Sequence, residues 1–447
     1  MKRYPLYLNG QWVETETTLS VSDPATGETF AEVGTVGRTG VKEALEDAQA
    51  ALPGWRALTG MQRGDYLLAI AAEVGRRADD IAAVMTRENG KALAQSKGEV
   101  MATIDHLRWF AEEARRAYGR VVPHQAPGKR HLVLKSPVGV VGAIAPWNFP
   151  LVLAARKAAP ALAAGCTVVL KPASATPLCS LLFAECVHAA GLPAGVFQIV
   201  LGPAAEIAAE MLANPICRKI SFTGSTPVGK GLIEGAAKTC TLLSLELGGN
   251  APVIVFDDAD LDTAVEGTYM AKFRNTGQSC IAANRIYVQR GVYDRFLEGL
   301  AAKLARQKVG HGLEAGVEFG AMIDEGALQS ALEMINDALA KGARLVCGGQ
   351  RWGDTGSFLA PTILADVPDG AGCMLEEIFA PIAAVVPFDD EDVVIAKAND
   401  TQFGLAAYAF TNDLNRAWRV AEALEAGTVG INDGVPSTSN CPFGGFK

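Results

Sequence analysis

A cysteine that serves as a nucleophile needs access to its target, and its thiolate is the reactive form. In "FRNTGQSCIAANR" (Phe273 to Arg285), Cys280 lies beyond Gly277 in a polar loop, with a helical pattern before it and a strand pattern after it. The plainer reading is a structural core cysteine. Glu246, in "LELGG", stands between leucines and ahead of two glycines. A carboxylate there is costly to bury unless it is paired or raised in pKa, and a raised carboxyl suits a general base near neutral pH. The alternative is an outward-facing edge residue. Asn148 lies in "PWNFP", where two prolines hold a rigid irregular turn. Its amide is either an ordinary turn residue or a fixed N–H donor for an oxyanion. "KPAS" (Lys171 to Ser174) and "FTGS" (Phe222 to Ser225) each close an apolar strand just before a helix. Gly224 and Ser225 either turn and cap that helix or leave its N–H groups and dipole to a phosphate.

These residues need elements to hold them. From Pro137 the strands "VGVVGAIAPW", "CTVVLKP", "GVFQIVLG" and "CRKISFTGS" are short and apolar, and the helical stretches "TPLCSLLFAECVHAAG", "AAEIAAEMLAN" and "TPVGKGLIEGAAKT" interleave with them. The rhythm argues a doubly wound parallel sheet, with ligands at the carboxyl ends of its strands. No G-x-G-x-x-G follows an early strand, so the ordinary dinucleotide fingerprint is missing. After "LELGGNAP" the alternation restarts with "PVIVFD", "DLDTAVEGTYMAKFRN", "NRIYVQR" and "VYDRFLEGLAAKLARQ", which reads as a second α/β domain from Gly248. The chain ahead of Gly119 reads as mostly helical, and "GRVVPHQAPGKRHLVLKSP" as two strands joined by a turn, a ribbon able to pair with another subunit.

The totals narrow the class. A length of 447 residues suits two or three domains, and 49% hydrophobic with 20% charged residues suits a soluble globular protein. The net charge of -9, spread without long acidic runs, argues against nucleic acid as a main partner. Nine widely spaced cysteines without a C-x-x-C argue against a disulfide framework or a structural zinc site. "MKRYPLYLNGQWVE" has no long apolar stretch and is no secretory signal. "AARKAAPALAAGCTVVLKPA" is broken by Arg156, Lys157, Pro160 and Lys171, so it is no membrane span. The expectation is a reduced, cytoplasmic protein with neither nucleic acid nor membrane as partner.

Taken in order, "PWNFP", "TVVLKPAS", "SFTGS", "LELGGNAP", "NTGQSC", "EEIFAP" and "PFGGFK" resemble the aldehyde dehydrogenase superfamily over almost the whole chain. The resemblance implies an NAD(P)-binding domain (1–118 and 138–247), an α/β catalytic domain (248–428) and oligomerisation or bridging segments (119–137 and 429–447). It implies a homodimer or homotetramer, joined by the ribbon and a terminal strand that relatives carry beyond "PFGGFK". It casts Cys280 as nucleophile, Glu246 as general base, and Asn148 with the Cys280 N–H as oxyanion donors. Trp147, Lys171, Ser174, Gly224 and Ser225 are then cofactor-binding, with Lys171 at the adenosine ribose and Ser225 at the pyrophosphate, and Glu377 and Phe379 hold the nicotinamide ribose and ring. Ala380 stands where the family usually has glycine.

Many NAD-preferring relatives carry glutamate where Ser174 stands, and a carboxylate there repels a 2′-phosphate. Serine removes that repulsion with Lys171 nearby, so NADP is expected to be preferred and NAD still accepted. Arg156 and Arg274 match the arginine pair that binds the distal carboxylate in the succinate-semialdehyde branch, and Ser437 matches a serine that assists them. The substrate expected is succinate semialdehyde, with glutarate semialdehyde or another small aldehyde as the alternative. Some members of this branch have a second cysteine two residues after the nucleophile; here Ala282 stands there, so no two-cysteine redox switch is expected.

Overall fold

Runs such as "VVGAI" (Val140–Ile144) and "TVVLK" (Thr167–Lys171) are apolar on both faces, and every residue of each is buried. Strands of that kind belong inside a sheet covered on both sides. The structure, a computed structural model, describes residues 1–447. The chain divides into two compact units: Met1–Ser22, Thr29–Glu88 and Lys97–Leu245; and Asp23–Glu28, Asn89–Ser96 and Glu246–Lys447.

The first unit is built on a five-stranded sheet in the order Phe197–Ile199, Thr167–Lys171, Val140–Ile144, Cys217–Thr223, Leu242–Glu246. The first four strands of that order run parallel. The chain leaves Val140–Ile144 toward one edge, then returns on its other side as Cys217–Thr223. The topological switch point therefore lies between these two strands, where open α/β sheets bind ligands. "PWNFP" follows the first of them and "FTGS" closes the second. Helix Arg38–Ala57 buries Val41, Ala44, Leu45, Ala48, Leu52 and Trp55, one face at helical spacing, and Ala48 O accepts from Thr167 Oγ1 at 3.0 Å.

One feature differs from the sequence reading. Short strands, Lys2–Tyr4, Leu6–Leu8, Gln11–Val13, Thr18–Ser22 and Thr29–Gly34, precede the first helix, where helix was expected to dominate. In Thr29–Gly34, Ala31 and Val33 point inward in a period of two, too short a run to stand out against the long helical patterns after it. The stretch from Met61 to Asn89 forms two helices, Gly60–Arg76 and Ala78–Asn89, because Arg77 leaves helical geometry (φ −108°, ψ 17°). The ribbon pairs Arg120–Pro123 antiparallel with Arg130–Val133, and leaves Val121 64% and Leu132 72% exposed.

The second unit holds a seven-stranded sheet in the order Arg344–Cys347, Thr362–Ala365, Ile382–Phe388, Ala283–Gln289, Ala251–Val255, Ala406–Phe410, Thr428–Ile431. Only the Arg344–Cys347 edge strand is antiparallel to its neighbour. Alternate residues enter different cores: Val253, Val255, Ile286, Val288 and Val385 pack with Phe296 and Leu300, while Ile254, Tyr287, Ala384 and Val386 pack with Leu328, Ile335 and Val394. Helices thus cover both faces of the sheet, the doubly wound arrangement. Each such fully buried Leu, Ile or Phe contributes roughly 1.5–3 kcal/mol of burial. No helix is long and apolar enough to cross a membrane.

Candidate active site

In the second unit the motif loops lie at amino ends of strands. "LELGG" precedes Ala251–Val255, the Cys280 loop precedes Ala283–Gln289, and "EEIFAP" precedes Ile382–Phe388. These strands are parallel neighbours, so three loops distant in sequence meet at one edge.

The cysteine loop is tightly specified. After helix Leu261–Phe273, three consecutive residues adopt left-handed backbone: Asn275 (φ 57°), Thr276 (φ 54°) and Gly277 (φ 71°). A β-branched residue there costs on the order of 1–3 kcal/mol and persists only where its surroundings hold it. Asn275 N donates to Gln95 Oε1 (2.6 Å), Asn275 Nδ2 donates to Gln278 O (2.9 Å), and Gln278 Oε1 accepts from Ile323 N (3.0 Å). A Cβ on Gly277 would lie 2.2 Å from Ala380 O, and one on Gly249 would lie 2.2 Å from Cys280 O. Tyr408 Oη donates to Ile281 O at 2.7 Å. The backbone on both sides of Cys280 is therefore fixed, while the residue itself is half-buried against an apolar cluster that includes Ile281 and Phe443.

Other cysteines contrast with it. No disulfide joins any of the nine, and Cys186, Cys217 and Cys373 are buried, their thiols pushed up to about 11 by desolvation. Such thiols carry little thiolate near neutral pH.

Lys272 and Asn284 close the base of the loop: Lys272 Nζ donates to Asn284 Oδ1 at 3.2 Å, and neither side chain reaches solvent appreciably. Asn284 Nδ2 donates onward to Gly249 O (3.4 Å), and Gly249 N donates to Glu377 Oε1 (3.0 Å). Burial pushes the Glu377 carboxyl up to about 7, against the pull of the Gly249 N–H and the Lys272 ammonium. Burial pushes Lys272 down to about 7, opposed by Cys373 and Glu377. A Cβ on Gly248 would lie 2.6 Å from Glu377 Oε2, which explains the paired glycines of "LELGG". Glu246 ends the edge strand Leu242–Glu246 and is half-buried, whereas Leu242 and Ser244 of that strand are exposed. A Cβ on Gly444 would lie 3.4 Å from Glu246 Oε1, so "PFGGFK" runs beside this carboxylate. Lys447 Nζ holds that segment by donating to Asn399 O (2.7 Å) and Thr401 O (3.1 Å).

In the first unit, Asn148 is buried in the turn after Val140–Ile144. Glu99 Oε1 accepts from Leu151 N (2.9 Å) and Val152 N (3.1 Å), and Thr176 Oγ1 donates to Trp147 O (3.2 Å), so the turn is pinned at both ends. Glu88 accepts from Leu178 N (2.7 Å) and Cys179 N (2.9 Å) and so caps the helix after "KPAS"; burial pushes its carboxyl up to about 7. Lys171 is buried, its pKa lowered by desolvation, and its Nζ donates to Pro172 O at 3.1 Å; Ser174 beyond it is half-buried. Ser225 is the N-cap of helix Thr226–Ala236 (φ −71°, ψ 150°) without a side-chain capping bond. A Cβ on Gly224 would lie 2.4 Å from the Phe222 ring. Arg156 is half-buried, and its Nε donates to His106 Nε2 at 2.9 Å.

A family model for aldehyde dehydrogenases matches residues 12–447. The chain belongs to the aldehyde dehydrogenase family. It is 51% identical over 447 residues to a glutarate-semialdehyde dehydrogenase of Pseudomonas putida, covering 100% of this chain and 93% of that protein. It is 50% identical to an NADP(+) succinate-semialdehyde dehydrogenase of Escherichia coli, with the same coverage of 100% and 93%. A solved structure described as an E. coli NADP-dependent enzyme superposes with a TM-score of 0.98 at 50% identity, covering 100% of this chain and 93% of that one.

For this aldehyde dehydrogenase, the second unit gathers Glu246, Arg274, Cys280, Glu377, Phe379 and Ser437, and the first holds Trp147, Asn148, Arg156, Lys171, Ser174, Gly224 and Ser225. Phe379 has a left-handed backbone (φ 48°). Arg274, Cys280 and Asp433 lie near enough to Tyr408 to bias the ionisation of its phenol, which burial raises. Sequence reading missed Glu99, His106, Lys272 and Asn284. A signal existed: Glu99, Thr103 and His106 share the spacing of buried Val100, Ile104 and Leu107, and Lys272 follows Ala264 and Thr268 at four-residue steps. Polar residues on an inward face need partners.

Proposed function

We propose that the chain oxidises succinate semialdehyde to succinate with NADP, through a thioester on Cys280. The observation that carries this is Arg274: a cation six residues before Cys280, on the same constrained loop, with both residues in electrostatic reach of Tyr408. A guanidinium so placed suits a short substrate with an aldehyde at one end and a carboxylate at the other. The names of two relatives, for succinate and glutarate semialdehydes, agree with that class. Glutarate semialdehyde, longer by one methylene, is the second reading.

The residues fit a nicotinamide dinucleotide. Helix Thr226–Ala236 begins at the switch-point crevice without a side-chain capping bond, which suits a phosphate at its first N–H groups. Ser174 presents no charge to a 2′-phosphate and Lys171 presents a cation nearby, which favours NADP while allowing NAD. Glu377 would accept from the nicotinamide ribose, and Phe379 would bound the ring. A nicotinamide held there would supply the hydride acceptor for oxidation of the tetrahedral carbon to the thioester level.

The chain supplies the rest. The Cys280 thiolate attacks the aldehyde carbon. In this reading the Asn148 amide and the Cys280 N–H donate to the resulting oxyanion, and loss of one such donor costs about 10²–10³ in rate. Glu246 takes a proton from water as that water attacks the thioester, and the thiolate departs. Catalysis by a thiol suits a reducing cytoplasm, and the exposed Val121 and Leu132 of the ribbon suit burial in a homodimer or homotetramer.

Arg274→Ala tests the substrate. KM for succinate semialdehyde should rise about 10–100-fold, with a smaller change for butanal. An unchanged KM would remove the carboxylate reading. Glutarate semialdehyde assayed beside it ranks the two acids by kcat/KM.

The Glu377 carboxyl gives a pH prediction. Its folded-state pKa is about 7, so the ionised form that accepts from ribose is lost as pH falls through that value, and KM for NADP should climb. In Lys272→Met the stabilising cation is gone, and the rise should begin about one pH unit higher. An unmoved midpoint in a titration of kcat/KM for NADP would show that Lys272 does not set the charge of Glu377.

A further inference from the structure

Arg156 stands on helix Val152–Ala163, and the side chain it meets belongs to His106 of helix Leu93–Glu113. His106 is 5% exposed. Its Nδ1 lies 2.8 Å from Ala102 O, four residues back on its own helix, and its Nε2 lies 2.9 Å from Arg156 Nε. A carbonyl oxygen only accepts and a guanidinium nitrogen only donates. The imidazole must therefore carry its proton on Nδ1 and its lone pair on Nε2, so the two neighbours select one neutral tautomer. Burial lowers the pKa of His106 and Arg156 lowers it further, while the Ala102 bond and Asp105 oppose them. The charged groups that act on the ring are thus Arg156 from the neighbouring helix and, more weakly, Asp105 from its own.

A guanidinium has two kinds of fork edge for a carboxylate: Nε with one Nη, or the two Nη groups. The bond to His106 occupies Nε. We propose that His106 is the positioning residue that sets substrate specificity: it takes the Nε–H of Arg156 and so presents the Nη edge to the distal carboxylate of the substrate. This rests on Arg156 being part of the carboxylate clamp.

The test is steady-state kinetics of the intact enzyme with NADP, on succinate semialdehyde and on uncharged butanal. In His106→Leu the KM for succinate semialdehyde should rise about tenfold relative to that for butanal, with kcat at saturation within about threefold of wild type. His106→Gln, whose Oε1 accepts at the same place, should restore most of the affinity. In the wild type, KM for the acid should climb once pH falls below the ordinary histidine range, because protonation removes the acceptor and adds a like charge; in His106→Gln that climb should vanish. If Arg156→Ala raises the KM ratio and His106→Leu does not, the role of His106 is wrong while the clamp stands. If Arg156→Ala leaves the ratio unchanged, the clamp itself is wrong. An equal rise in KM for both aldehydes in His106→Leu would mark general damage and overturn the proposal. Should His106→Leu fail to fold, His106→Gln decides alone: an acid climb that persists there overturns it.

Discussion

Cys280→Ser should lower the rate of aldehyde oxidation by at least about 10⁴-fold while leaving NADP binding within about threefold of wild type. The change swaps sulfur for oxygen and little else. The loop is held by Gln95, Gln278, Gly249 and Tyr408 through the backbone and side chains of other residues, so its shape does not depend on the thiol. What is lost is the nucleophile: a thiol supplies useful thiolate near neutral pH, whereas a hydroxyl needs a base to remove its proton. The measurement pairs NADPH absorbance with cofactor titration by fluorescence. Cys373→Ser is the control, because burial pushes that thiol up to about 11 and the residue should be dispensable for turnover. A serine variant that keeps a hundredth of the activity would mean that no covalent bond to Cys280 is required.

The sheet-forming runs were legible because fully buried parallel strands are uniformly apolar, as "TVVLK" and "VVGAI" are. The motif residues were legible because each breaks a local pattern: Glu246 among leucines, Asn148 between prolines, Cys280 in a polar loop. What did not show was position relative to strand direction. The carboxyl-end rule fits "PWNFP" and "FTGS" but not the second unit, where "LELGG", the cysteine loop and "EEIFAP" lie at amino ends. Nor does a local window give the partner of a buried polar group. His106 and Arg156 are fifty residues apart in sequence, and Lys272 reaches Asn284 only because the loop between them folds back through three left-handed residues. Such pairings follow from tertiary packing, and helical spacing alone marks one side of each.

Glu246→Gln should separate the two halves of the reaction. The amide has nearly the shape of the carboxylate but no basicity, so formation of the thioester should proceed and its hydrolysis should stall. Rapid mixing with succinate semialdehyde and excess NADP should then show a burst of about one NADPH per active site, followed by a steady rate lower by roughly 10²–10⁴. Mass spectrometry after acid quench should find the acyl group on Cys280. Added hydroxylamine, a nucleophile that needs no base at neutral pH, should restore turnover and yield the hydroxamate. Each outcome assigns a step. A variant with neither burst nor turnover would place Glu246 before hydride transfer, as the group that takes the proton of the thiol. An unchanged steady rate would remove it from the reaction and leave its half-buried place beside Gly444 as a matter of packing. The predicted pattern, burst intact and hydrolysis lost, is the one a base acting only on water can give.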